Sequence, residues 1–273
     1  MLRFESKTGW WLMTHPDHAR LAAAFAEHWG NDLFAQPEPR VHVLHGVAVH
    51  DEGWALRDAA PQITRQGKPS AFSTELVGKY SAFEEIDLAD YLAVRDRAVR
   101  LVSESDPYAA LLVSMHTYNL LTERADRSTI APEQLPLLED FLVAQKALQE
   151  QLLGAIEGDR TLAIEEKSRE RIEDHFKLLQ ACDNLSLLSC VDYNCSASLL
   201  HPLRLKDGGA SSVVVAPLGG RQFRLSPYPL NISPLVVEFP ARHVEGKVFA
   251  TTKELQEKVA LAEVVTLTVT ITA

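Results

Sequence analysis

Cysteine is scarce. Only Cys182, Cys190 and Cys195 occur, and no two of them are separated by two residues. An odd, unpatterned set excludes a disulfide framework, and the missing CxxC spacing excludes a cysteine-based zinc site. Reduced thiols in a cytoplasmic chain are the expectation. Long apolar runs are also lacking: none approaches the roughly 18 residues of a membrane-crossing helix. The first residues, Met1-Leu-Arg-Phe-Glu-Ser-Lys-Thr, hold no apolar stretch of signal-peptide length. Neither a membrane partner nor a secretion signal is expected. Positive charge is in deficit, with 27 Lys and Arg against 37 Asp and Glu, a net charge of −10. That balance argues against nucleic acid and anionic membrane as partners, because both need a basic face. It leaves room for a small anionic ligand in a locally basic pocket. There is no internal repeat and no low-complexity tract. Gly208-Gly209 and Gly219-Gly220 punctuate turns rather than cradle phosphate. No Ser-His-Asp or Cys-His spacing marks a nucleophile.

What is present is an ordinary globular composition, 46% hydrophobic and 23% charged over 273 residues, enough to bury a sizeable core without staples. Residues 2–13 read as a strand pair around Thr8-Gly9. Thr14 is a candidate N-cap, with Pro16 in the first turn and Asp17 three residues on. The helix it opens carries Leu21, Ala22, Phe25 and Trp29 on one stripe. A second helix is expected over 41–52. Residues 55–82 show no sustained periodicity and carry scattered Arg57, Arg65, Lys68 and Lys79, a combination that reads as functional or lid-like. Helical periodicity returns over 87–103, 107–124, 132–157 and 161–192. Beyond residue 200, short extended runs appear at 212–216, 221–226, 235–239 and 247–251, followed by a short helix over 252–262. The last run, 265–273, puts Leu267, Val269 and Ile271 on one face and Thr266, Thr268, Thr270 and Thr272 on the other. The expected fold is therefore mainly α: a helical bundle over 14–200 and a small β-rich subdomain over 201–273, joined by strands from 1–13. The tail is expected to be a buttress or a homo-oligomer contact.

Polar residues on apolar stripes carry the functional signal. His18 is in register with Leu21, Ala22 and Phe25. His50 aligns with Val43 and Val47, and Asp51 with Leu44, Val47 and Ala48. His116 shares a stripe with Ala109, Leu112, Val113 and Leu120, and Asp183 with Phe176, Leu179 and Leu187. A buried carboxylate without a partner costs several kcal/mol. No Lys or Arg lies on these stripes. A divalent ion offsets both carboxylates and takes imidazole nitrogens directly, so a metal is the simplest single explanation. His15, beside Pro16, is expected to face solvent. His175 is an outside candidate, and Trp54 is of interest only by adjacency.

His18, then His50-Asp51, then Asp183 resembles the HD superfamily, in which an early His, an adjacent His-Asp pair and a late Asp bind a divalent metal. Pro16-Asp17-His18-Ala19, His50-Asp51-Glu52-Gly53-Trp54, and Asp106-Pro107-Tyr108-Ala109-Ala110-Leu111-Leu112 with His116 also resemble a bacterial family of unknown function built on the same helical plan. The resemblance covers about residues 1–200. It implies an HD-like bundle with Mn, Fe, Zn, Ni, Co or Mg at its centre and metal-dependent hydrolysis of a small phosphorylated or otherwise anionic substrate. On that template His18, His50, Asp51 and Asp183 are metal ligands, and His116 is an additional ligand, either of a second metal or facing substrate. Arg57, Lys68 or Lys79 neutralises the anion, and Glu52 is a proton acceptor. Characterised phosphohydrolases often carry a lysine shortly after the His-Asp pair, where this chain reads Glu52-Gly53-Trp54-Ala55-Leu56-Arg57. Two alternatives stand beside hydrolysis: a di-iron, oxygen-activating protein and a non-catalytic metal-containing regulatory module.

Overall fold

The computed structural model describes residues 1–77 and 86–273. Lys79 lies outside the described residues. The chain opens with strands β1 (Leu2–Glu5) and β2 (Gly9–Met13), then helices α1 (His15–Glu27), α2 (Arg40–Val49), α3 (Ala55–Ala59), α4 (Leu88–Ser103), α5 (Pro107–Asn119), α6 (Leu135–Gly158) and α7 (Arg169–Cys190). Strands β3 (Ala197–Ser198), β4 (Leu203–Arg204), β5 (Ala210–Ser211), β6 (Val214–Gly219), β7 (Gln222–Ser226) and β8 (Leu235–Glu245) follow, and α8 (Thr252–Leu261) and β9 (Val264–Thr272) close the chain. No helix among the described residues is long and apolar enough to cross a membrane.

The mainly α expectation is wrong. About 50% of the chain is helical and 20% is strand, and a curled seven-stranded sheet makes this a mixed α/β fold. The sheet runs β1-β2-β8-β9-β7-β6-β3. Its pairs are antiparallel except β7 with β9. The β-rich C-terminal run is thus not a small appendage. β2 pairs with β8, so the strands at the start of the chain extend the sheet formed at its end. β8 runs through Pro240, which sits at an exposed position opposite Thr266. A ring without an N–H is tolerated there, although it cuts the apparent strand in the sequence. The expected strand at 247–251 does not form. Phe249 instead docks as a buried plug, its N–H donating to Gly67 O at 2.8 Å.

One face of the sheet shares a core with the helices. Met13, Phe239, Ala241, Val269 and Ile271 merge with Leu21, Ala22 and Phe25 of α1 and Leu179 and Leu185 of α7. The alternation of β9 explains its side: Val269 and Ile271 are fully buried while Thr266 and Thr268 are exposed. On the other face, Trp10, Leu12 and Val244 pack with Phe249 and Leu255 of α8. A third cluster joins Tyr91 and Leu92 of α4 and Leu138 and Leu142 of α6 to Trp54. The helix α7 is buried nearly all round, and its polar residues Gln180, Asp183, Asn184, Ser186 and Ser189 are buried as well. Interior polar groups of that kind need partners, and those of Asp183 and Ser186 converge with His18 and His50.

Candidate metal centre

His18 sits one turn into α1, whose start is fixed by the Thr14 hydroxyl accepting from Asp17 N at 3.1 Å. His50 follows α2, and Asp51 opens the tight turn Glu52–Trp54. His116 comes from the last turn of α5 and Asp183 from the inner stretch of α7. Two glycines permit the approach. A Cβ at Gly46 would lie 3.3 Å from Ala109 Cα, so α2 and α5 pack backbone to backbone. A Cβ at Gly53 would overlap the Val94 carbonyl oxygen and lie 2.8 Å from Ala98 N, both on α4. Gly53→Ala must therefore push α4 away from the His-Asp pair. The expected cost is about 2 kcal/mol, read as a lower urea midpoint, and an unchanged midpoint would show that the two segments separate freely.

The structure brings the five expected ligands together. Within the triad His18, His50 and Asp51, and within the triad His50, His116 and Asp183, the ligand atoms lie within 4.8 Å of one another, and all are buried. The hydrogen bonds fix the imidazole orientations. Ser186 Oγ donates to the Asp183 carbonyl at 2.8 Å and so accepts the Nδ1–H of His18, also at 2.8 Å. His50 Nδ1 donates to Val47 O at 2.7 Å. In the neutral rings both Nε2 atoms then carry lone pairs. His18 Nε2 is 3.0 Å from Asp51 Oδ2, and His50 Nε2 is 3.3 Å from Asp183 Oδ1 and 4.0 Å from Asp51 Oδ2. His50 Nε2 and His116 Nδ1 are buried with no hydrogen-bond partner. Lone pairs turned on carboxylate oxygens require a cation between them, either protons or a metal ion.

Arg95 answers part of that demand, and the sequence reading missed it. It sits at the middle of the α4 stripe formed by Leu88, Tyr91, Leu92, Ala98, Val99 and Val102. Its Nη1 donates to Asp51 Oδ1 at 2.5 Å and its Nε to the Tyr91 hydroxyl at 3.1 Å. The absence of Arg from the His- and Asp-bearing stripes is real, but the neutralising charge comes from a helix that carries none of the five ligands. Burial raises the Asp51 carboxyl, and Arg95, with His50 and His18, more than offsets this and holds it well below its ordinary value. For Asp183 burial again opposes, and His50 brings the net shift below ordinary. Burial works against a charged His50, yet Asp51 and Asp183 raise it overall. His116 is pushed down to about 3 by burial, aided by His50 and Arg95. Arg95 thus offsets one of the two carboxylates, and the three imidazoles share the other.

A cavity of about 140 Å³ opens over the site. Asp51, Asp183, His116 and Arg95 line it, with Trp54, Tyr91 and Leu120 on its walls. His15 also lines it and does not face solvent: its ring stacks on Trp54 at 4.4 Å and its Nδ1 lies 3.1 Å from Asp58. Burial first, against the pull of Asp58, lowers this imidazole to about 4. The signal that would have found His15 is Asp58, whose carboxylate takes the His15 backbone N–H at 2.5 Å.

A family model matches residues 1–246, described as a protein of unknown function, DUF3891. The chain belongs to the DUF3891 family. No curated protein and no solved structure matches it. The match accords with the resemblance to a family of unknown function and does not extend to the HD superfamily.

Within this DUF3891 chain the other expected residues are scattered. Arg57 lines the cavity and lies 3.8 Å from Asp90. Glu52 is directed to a separate surface pocket with Thr14, Asp17 and Arg20. His175 bonds the Tyr108 hydroxyl at 2.7 Å, apart from the five ligands. Burial, with Arg171 and Arg204 nearby, pushes His175 down to about 3 from an ordinary 6.5. Below pH 6.5 the unfolded chain gains a proton that the folded one refuses, so this residue removes stability as pH falls toward 3. His175→Gln is expected to lose roughly 2 kcal/mol less stability than the parent between pH 7 and pH 5. Equal losses in urea melts at the two pH values would refute the assignment.

Proposed function

We propose that this protein binds one divalent metal ion through His18, His50, Asp51, His116 and Asp183 and, as its resemblance to the HD superfamily implies, hydrolyses a small anionic substrate in the adjoining cavity. The observation carrying this reading is the pair of imidazoles whose Nδ1–H groups are committed to Ser186 and Val47, leaving Nε2 lone pairs aimed at Asp51 and Asp183. A donor set of imidazoles and carboxylates suits Mn, Fe, Co, Ni or Zn. A single ion is favoured because His50 belongs to both triads but has only one free nitrogen. When bound, such an ion lowers the pKa of water and polarises an oxygen of the substrate. The chain's own groups divide the remaining work. Ser186 and Val47 orient the histidines, Arg95 holds Asp51, and Arg57 stands on the cavity wall where an anion would enter.

The observation favouring a second reading is the buried ion pair of Arg95 with Asp51, which offsets one of the two carboxylates without metal. Turnover of phosphoesters, carboxylic esters and amides with each candidate metal distinguishes the two. Hydrolysis that needs added metal and falls at least about 100-fold in His50→Ala supports the proposal. Folded protein that takes up no metal overturns it in favour of a charged structural core.

A further inference from the structure

We infer that the ligand of this cavity is a small carboxylate with an apolar body of about one ring, and not a nucleotide or a phosphate monoester. The inference rests on the metal reading above. Charge comes first. Asp51 and Asp183 contribute two negative charges and Arg95 one positive, and the three histidines are neutral when their lone pairs are engaged. One divalent ion brings that inner set to a net charge of +1, which a single negative charge neutralises. A phosphate monoester dianion would leave an excess of negative charge beside the buried Asp51 and Asp183, which is unfavourable. The only other guanidinium among the described lining residues is Arg57. It is partly exposed and already faces the Asp90 carboxylate at 3.8 Å. Of the remaining ionic groups on the wall, the Asp58 carboxylate is engaged by the Met1 amine and by His15, so this set neither repels nor recruits a second charge.

Size and polarity give the rest. The cavity measures about 140 Å³, close to the roughly 150 Å³ of a cavity known to hold benzene. A nucleoside would have to extend through the open side of that space. Trp54, Tyr91, Phe72, Leu120 and Leu187 supply aromatic and aliphatic wall. Such surfaces bind a ring by area. The indole N–H of Trp54 is buried without a partner, a donor left for an acceptor atom.

The test is calorimetric titration of protein loaded with Mn²⁺, its metal content measured first, against benzoate, acetate, phenyl phosphate and adenosine monophosphate. Benzoate is expected to bind at least about tenfold more tightly than each of the other three. Ala71→Phe, which adds a ring to the wall, is expected to weaken benzoate at least about tenfold while metal content stays at the parent level. Phenyl phosphate or adenosine monophosphate binding as tightly as benzoate would overturn this inference and leave the metal reading standing. Acetate equal to benzoate would refute the apolar pocket. Folded protein holding no Mn²⁺ would remove the reading beneath and this inference with it. The ligand series on the parent protein decides the matter even if the Ala71 variant fails to fold.

Discussion

Asp51→Ala is expected to destabilise the protein by about 3–5 kcal/mol, lowering its melting temperature by roughly 10 °C, and no metal should restore it. Asp51 faces two buried nitrogen groups at once. Its Oδ1 receives Arg95 Nη1 at 2.5 Å and its Oδ2 faces His18 Nε2 at 3.0 Å. Arg95 is only 6% exposed, so the alanine variant strands a guanidinium away from water. Desolvating an unpaired charge costs far more than the pair itself contributes, which is why removing one partner is severe. The same change deletes a ligand shared by the first triad, so saturating Mn²⁺ or Zn²⁺ should not raise the melting temperature. A variant that melts within a degree of the parent would show that water reaches Arg95 and that the site is not sealed.

Arg95→Met should behave differently, and the contrast is the sharper test. In metal-free protein it strands Asp51 and is expected to cost about 3 kcal/mol. Methionine keeps most of the side-chain volume, so packing against Tyr91 and Trp54 suffers little. A divalent ion can replace the lost positive charge, and it no longer competes with a neighbouring guanidinium. Saturating metal should therefore return most of the lost stability, since an ion at about a thousand times its dissociation constant stabilises by about 4 kcal/mol. Thermal melts of parent, Asp51→Ala and Arg95→Met with and without metal read this directly. Arg95→Met that stays destabilised in every metal would identify the cluster as a structural salt-bridge core.

The five candidate ligands were legible in the sequence because a polar residue on an apolar stripe is a costly local event, visible within one helix. Arg95 gives the same signal, in register with Leu88, Tyr91, Leu92, Ala98 and Val99. It was missed because it shares no stripe with a His or Asp, and which helix faces Asp51 is a tertiary fact. His15 was read as outward because a first-turn residue beside Pro16 usually is. Its stacking on Trp54 and its bond to Asp58 depend on how α3 returns over α1. The fold class was lost for a related reason. Strands from 1–13 were expected to join the runs after residue 200, and β2 does pair with β8; but those runs are short, and their weight appears only when β7 finds β9 across a long separation. Pro240 hid the length of β8, and Phe249 imitated a strand while serving as a plug between the Gly67 turn and α8.

The most direct measurement is metal content. Protein exchanged against Mn²⁺, Fe²⁺, Co²⁺, Ni²⁺ or Zn²⁺ and freed of excess ion should retain about one equivalent per chain of at least one of them, by elemental analysis. His50→Ala should lose it, because both triads use that one nitrogen. Folded parent protein that retains none of these ions, with His50 observed as a charged imidazolium by NMR, would contradict the account at its root.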